Sequence, residues 1–174
     1  PSSLLQDMTS WWAFEESSGT RFDSHGTNNF TDFTVTPSTT GKIGTGINFA
    51  GGDYIKFDTG TTGLEGTGSF TIAGWVNHDT LNSGQVIGRN DWDGVAASTR
   101  DWRLIFNATP DTYTFIVYVS STAYSVDWSA TLPINSWYFV TCYYDADLNE
   151  IGISVNNQTF VTASVTGRIN NVGN

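Results

Sequence analysis

The sequence predicts an all-β protein, an antiparallel two-sheet β-sandwich of the jelly-roll type. Three observations predict it. Residues that favour helices are scarce, whereas Val, Ile, Thr and aromatics are abundant, with Trp, Tyr and Phe at 7, 7 and 11 of 174 residues. Apolar and polar residues alternate with period two in one segment after another. Turn-forming clusters break those segments at intervals of roughly 8–12 residues. No segment sustains a helical period.

The elements follow in order. Thr9 to Phe14 reads as an apolar-rich first strand. Gly44 to Phe49 and Tyr54 to Phe57 flank a turn at Ala50-Gly51-Gly52-Asp53. Ser69 to Val76 places Phe70, Ile72, Gly74 and Val76 on one face, because side chains alternate across a strand. Gln85 to Gly88 is a short strand. Trp102 to Phe106 and Tyr113 to Val119 form a hairpin through Asn107-Ala108-Thr109-Pro110-Asp111, a loop by its residue types. Tyr124 to Trp128 follows. Trp137 to Tyr144 and Ile151 to Asn156 are joined by Asp145-Ala146-Asp147-Leu148-Asn149-Glu150. Asn156-Asn157 is a turn and Thr159 to Val165 a last strand. The Thr-, Ser- and Gly-rich stretches Thr34 to Thr45 and Asp58 to Gly68 read as surface loops. One domain over residues 1–174 is expected.

Charge excludes several function classes. Lys plus Arg is 7 and Asp plus Glu 17, a net charge of −10. Nucleic-acid binding needs a basic footprint, and so does docking on an anionic membrane. No run of about 18 apolar residues is present, so no membrane insertion is expected. Pro1-Ser2-Ser3-Leu4 shows no signal-peptide pattern. A single cysteine, Cys142, excludes an internal disulfide and reads as a buried structural thiol. A surface of hydroxyls, amides and carboxylates with two lysines, Lys42 and Lys56, is associated with extracellular, cell-surface and virion-surface proteins. The triplets Asn29-Phe30-Thr31, Asn107-Ala108-Thr109 and Asn157-Gln158-Thr159 are glycosylation sequons in form, which an Asn- and Thr-rich chain also produces by chance.

From Trp12-Ala13-Phe14-Glu15-Glu16-Ser17-Ser18-Gly19-Thr20 and Asp23-Ser24-His25-Gly26 onward, the chain resembles the laminin-G-like jelly rolls of the concanavalin A-like lectin/glucanase superfamily. The resemblance runs through Gly41 to Phe49, Gly51-Gly52-Asp53-Tyr54-Ile55 and Phe70 to Val76, and closes with Trp137-Tyr138-Phe139-Val140 and Val155-Asn156-Asn157. It implies one further strand after the segment Arg168 to Asn174, so a chain lacking its final strand, a module of a longer protein, is expected. Such a missing strand would leave an unpaired sheet edge.

The resemblance also implies a Ca²⁺ site, with Asp23 on the ligand-bearing position. Calcium wants about 6–8 oxygen ligands. Asp23, Asn28 and neighbouring carbonyls supply some, and Asp53 adds a carboxylate if its turn folds towards them. The alternative is a turn in which Asp23 and Asn28 bond their own backbone. Asp145-Ala146-Asp147-Leu148-Asn149 imitates an EF-hand opening, but Glu150 replaces the needed Gly and Asn156 the needed Glu, so a hairpin turn is expected.

Sugars are held by aromatic rings against their apolar faces and by carboxylates and amides on their hydroxyls. The candidate carbohydrate-binding residues are Trp92 with Asn90, Asp91 and Asp93 around it, then Trp102 and Trp128 near strand ends, with Tyr54 and Tyr124 behind them. A plain solvated loop is the alternative for residues 90–94. Trp12, Trp75 and Trp137 fall within strand patterns and are expected in the core. Hydrolysis is not expected. Glu15, Glu16, Glu65 and Glu150 lack the Glu-x-Asp-x-Glu spacing of the glucanases, and neither His25 nor His78 lies in a nucleophile or metal motif.

A non-catalytic, lectin-like module that recognises glycans or glycoproteins on an extracellular or virion surface is therefore expected, with Ca²⁺ as candidate cofactor. The alternative is a structural or adhesion module that binds other subunits of a larger assembly. Fold alone does not choose between them.

Overall fold

The computed structural model describes residues 6–33, 36–57, 63–89 and 101–169. Pro1–Leu64 and Glu65–Asn174 are two compact units. Among the described residues there is no helix, and hence none long and apolar enough to cross a membrane.

The first unit holds β1 (Phe30–Phe33), β2 (Thr36–Thr40), β3 (Thr45–Asn48) and β4 (Tyr54–Phe57). β1 and β4 pair antiparallel with Phe30 opposite Phe57 and Phe33 opposite Tyr54. Both opposed pairs stack, at centroid distances of 4.2 Å and 5.0 Å. Trp12 closes the cluster 4.8 Å from the Phe30 ring.

Two expectations change here. Thr9 to Phe14 is not a strand; within it Trp12 alone bridges, to Asp23. The Trp11 N–H is drawn off to the Asp23 carboxylate, and Phe14 takes a φ of 58°, so no ladder can propagate. Conversely, the stretch expected as a loop contains β2. It folds onto β3 through a turn in which Gly44, at φ 59°, lets its carbonyl accept from the Gly41 N–H at 3.0 Å.

The second unit holds β5 (Phe70–Asn77), β6 (Gly84–Arg89), β7 (Trp102–Ala108), β8 (Asp111–Val119), β9 (Thr122–Ser129), β10 (Trp137–Asp145), β11 (Glu150–Val155) and β12 (Val161–Ser164). They form two antiparallel four-stranded sheets, in the orders β12-β11-β10-β5 and β6-β7-β8-β9. β11 and β12 lie against β9, and β11 against β8, so the sheets face each other as a sandwich. The jelly-roll-type all-β fold read from the sequence is the fold observed.

The core lies between these sheets. One contributes Tyr138, Val140, Cys142, Tyr144, Ile151, Ile153 and Val155, the other Trp102, Leu104, Phe106, Tyr113, Phe115, Val117, Val126 and Trp128. On β5, Phe70, Ile72 and Val76 pack against it, as the alternation predicts. Each fully buried side chain of this kind contributes about 1.5–3 kcal/mol. Burial pushes the Cys142 thiol up to about 12, which keeps it protonated and inert.

The turns behave as their residues require. Asp145 Oδ1 accepts from the Asp147 and Leu148 N–H groups at 2.9 Å each, closing the β10–β11 hairpin in place of an EF-hand loop. Asn156 and Asn157 stand at φ 53° and 60°, the left-handed region that asparagine tolerates.

Candidate functional site

The same alternation that sends Phe70, Ile72 and Val76 inward sends Thr71, Ala73, Trp75 and Asn77 outward. Across the ladder these oppose Tyr143, Thr141, Phe139 and Trp137 of β10. The outer face of this sheet therefore carries four rows: Asn77 with Trp137, Trp75 with Phe139, Ala73 with Thr141, and Thr71 with Tyr143. Thr71, Ala73, Trp75 and Asn77 are all exposed.

Besides Trp137, in the row with Asn77, aromatics pair at two stations on this face. Trp75 and Phe139 meet with centroids 5.1 Å apart, tilted by 53°, and Trp75 is 40% exposed. Tyr143 and Phe160 meet edge to face at 5.1 Å, and Phe160 is also 40% exposed. Phe139 and Tyr143 are four residues apart on one strand, so the stations stand about 13 Å apart. Between them lie the small Ala73 and the Thr141 hydroxyl.

The second station is firmly built. The Tyr143 ring lies over Gly152 on the adjacent strand, where any side chain would collide with it. Its hydroxyl donates to the Glu150 carboxylate. Burial, the Glu150 hydrogen bond and the nearby Glu150 and Asp145 charges push the phenol up to about 12. Asn156 braces the first station, since its side-chain oxygen accepts from the Phe139 N–H at 2.9 Å. No Lys or Arg occurs in β5, β10, β11 or β12.

Of the residues expected to bind sugar, only Trp102, Trp128, Tyr54 and Tyr124 are among the described residues. Asn90, Asp91, Trp92 and Asp93 lie outside the described residues. Their flanks are held together: the Arg89 guanidinium pairs with the buried Asp101 carboxylate, and the Asp101 N–H donates to the Arg89 carbonyl at 3.1 Å. Trp102 and Trp128 are core residues, 6% and 8% exposed, with rings engaged in packing between the sheets. Tyr124 packs against the same core, and Tyr54 stacks on Phe33. Trp75 and Trp137, both expected inside, fall on the outward-facing positions of β5 and β10. The signal was present in the sequence: Trp75 has the opposite parity to Phe70, Ile72 and Val76, as Phe139 and Tyr143 have to Tyr138, Val140, Cys142 and Tyr144.

The residues expected to hold calcium, Asp23, Asn28 and Asp53, each bond neighbouring groups of the chain. Asp23 is buried and its carboxylate is occupied by backbone donors. Oδ1 accepts from the N–H groups of Trp11, His25 and Gly26 at 2.9, 3.0 and 2.9 Å, and Oδ2 from that of Asn28 at 3.1 Å. Burial works against ionisation, but the Gly26, Trp11 and His25 amides with the Ser10 hydroxyl outweigh it and hold the carboxyl at about 2. The Asn28 side-chain amide donates to Ser10 at 2.8 Å, and the Asn28 backbone carbonyl accepts from the Trp12 indole at 2.6 Å. Asp53 closes its own turn by accepting from the Ala50 N–H at 2.9 Å. Among the described residues no three His, Cys, Asp or Glu side chains cluster as metal ligands. The loop is thus organised by its own amides. Gly26 is required there, because a Cβ would lie 2.6 Å from the Thr9 carbonyl and 2.7 Å from Asp23 Oδ2.

Comparison with known proteins agrees with this architecture. A segment of an S-layer domain-containing protein of Clostridium thermocellum matches over 92% of this chain and 74% of its own, with a TM-score of 0.57 and 19% identity, which shows a shared fold. No curated protein matches the chain. The Laminin_G_3 family, described as the concanavalin A-like lectin/glucanases superfamily, matches residues 49–174. With most of its length matched, and with the two facing antiparallel sheets that this fold requires, the chain belongs to the Laminin_G_3 family of the concanavalin A-like lectin/glucanase superfamily.

Proposed function

We propose that this chain is a non-catalytic carbohydrate-recognition module of a protein displayed at a cell or virion surface. The observation that carries the reading is the pair of solvent-facing aromatic stations on the outer face of the β12-β11-β10-β5 sheet. Large aromatics are normally spent on burial, and an exposed group beside hydroxyls and amides is the surface a sugar needs, apolar against its ring faces and polar against its rim. Family membership is consistent with this role. The name of the S-layer neighbour is consistent with a surface location.

The carboxylates support binding rather than hydrolysis. Glu15 accepts from the Thr45 hydroxyl at 2.8 Å and Glu16 from the Phe22 N–H at 2.9 Å. The cross-strand pair Asp145 and Glu150 is engaged by its own turn and by Tyr143. A glycosidase would need one carboxyl free to protonate and another free to attack.

The test is a glycan array with the full chain, repeated with Trp75→Ala. Glycan binding weakened about tenfold by the substitution supports the reading. An array without a hit, from protein shown to be folded, rejects it and favours an assembly module that binds protein subunits.

A further inference from the structure

We infer that the ligand is a linear, uncharged glycan of several units, lying along β10 and stacked at both aromatic stations, without a cation. The inference rests on the carbohydrate-recognition reading and specifies its substrate class.

A single sugar cannot span both stations. The stations are about 13 Å apart along β10. One pyranose ring covers one station, whereas a short chain reaches both. The strip between them is open enough for that chain to pass. Ala73 offers only a methyl group, and Thr141 presents its hydroxyl on the same row. A large side chain at Ala73 would obstruct the path. Asn77, exposed beside Trp75, provides a further polar group at one end.

Charge selects the class. The four strands contain no Lys or Arg, and Asp145 and Glu150 lie at the Tyr143 end of the sheet. The chain as a whole carries −10. Uronates and sulfated sugars would meet like charge, with Arg168 already paired to Asp147 in the β10–β11 turn, so complementarity favours neutral chains. Cation independence follows from the same face, where Glu150 is held by Tyr143 and Asp145 by its turn amides.

The experiment is calorimetric titration of the full chain with cello-, laminari- and manno-oligosaccharides, from the monosaccharide to the hexasaccharide. Matched uronic-acid oligomers are titrated alongside, and each titration is repeated in EDTA. Three variants accompany the wild type: Trp75→Ala, Phe160→Ala and Ala73→Glu, all on the exposed face, with folding checked by circular dichroism. The expected result is affinity rising at least tenfold from monosaccharide to tetrasaccharide in one neutral series, then levelling off. Trp75→Ala and Phe160→Ala should each remove that gain, Ala73→Glu should abolish binding of the longer chains, and EDTA should change nothing. A monosaccharide that binds as tightly as the longer chains overturns the inference and leaves the carbohydrate reading standing. So does glycan binding that none of the three variants weakens, or that is confined to uronic-acid oligomers or lost in EDTA. Folded protein that binds no glycan in these series or on the array overturns both.

Discussion

Asp23 shows how much one carboxylate can organise. Four backbone N–H groups converge on it, and a Cβ on Gly26 would intrude on the arrangement. Asp23→Ala leaves those donors, the Asn28 N–H buried and the other three part-buried, without an acceptor and should cost the first unit about 1 kcal/mol or more, read by chemical denaturation. Its pH dependence has a defined sign. The folded group ionises at about 2 against an ordinary value of 3.8. The unfolded chain therefore takes up the proton first, and the contribution is complete above about pH 4 and lost as pH falls towards 2. Asp23→Asn should flatten that acid limb. His78 acts in a higher window. Its Nε2 lies 2.7 Å from the buried Tyr113 hydroxyl, within hydrogen-bond distance, and its ring stacks on Phe106 at 4.2 Å. Burial lowers its pKa below 6.5, against the opposing pull of Asp111 and Asp79. The unfolded histidine takes a proton that the folded one resists, so stability should fall as pH drops below about 6.5. His78→Gln removes that step in urea titrations taken between pH 7 and 5. An unchanged slope in the variant would show that another group is responsible.

At the scale of elements, parity decides which aromatics are structural and which are available. β5 and β10 each place one set of residues in the core and the other on the surface, and Trp75, Phe139 and Tyr143 belong to the second set. Reading Trp75 as core followed from its position within a strand, yet a strand with one face in the core still exposes every second residue. Trp102 and Trp128 differ from expectation in the reverse direction. Both sit on strand faces that turn inward, and their closeness to loops in sequence does not expose their rings. The Tyr143–Gly152 contact joins two strands and gives a sharp test. Gly152→Ala would place a methyl group 2.6 Å from Tyr143 Cζ. The ring must swing away, at a cost of about 1–3 kcal/mol by the measure of overpacked sites. Thermal melts should show the loss, and glycan affinity should drop with the displaced second station.

At the scale of the whole molecule, charge bears on what the protein binds. With −10 distributed over 174 residues, binding of neutral glycans should be nearly insensitive to salt, whereas any anionic ligand would be weak and bind better as salt rises. Isothermal titration at low and high NaCl distinguishes the two. The Asp23 loop is satisfied by its own amides, so added Ca²⁺ and EDTA should give the same melting temperature. A bound ion at one hundred times its Kd would instead add about 2.7 kcal/mol, a rise of several degrees.

The sequence by itself determined the fold class, the order of most strands, the turns at Asp145 and Asn156, and the inert Cys142. These follow from local rules: alternation, turn chemistry and the burial of apolar runs. It also held the parity of Trp75, although that becomes informative only once the inward face is known. Tertiary structure decided the rest. Whether Asp23 holds a cation or a loop depends on which amides reach it from residues 11 to 28. Whether a tryptophan is core or platform depends on which side of its sheet meets the opposing sheet. Both depend on contacts between segments distant in sequence, and no local pattern encodes such contacts.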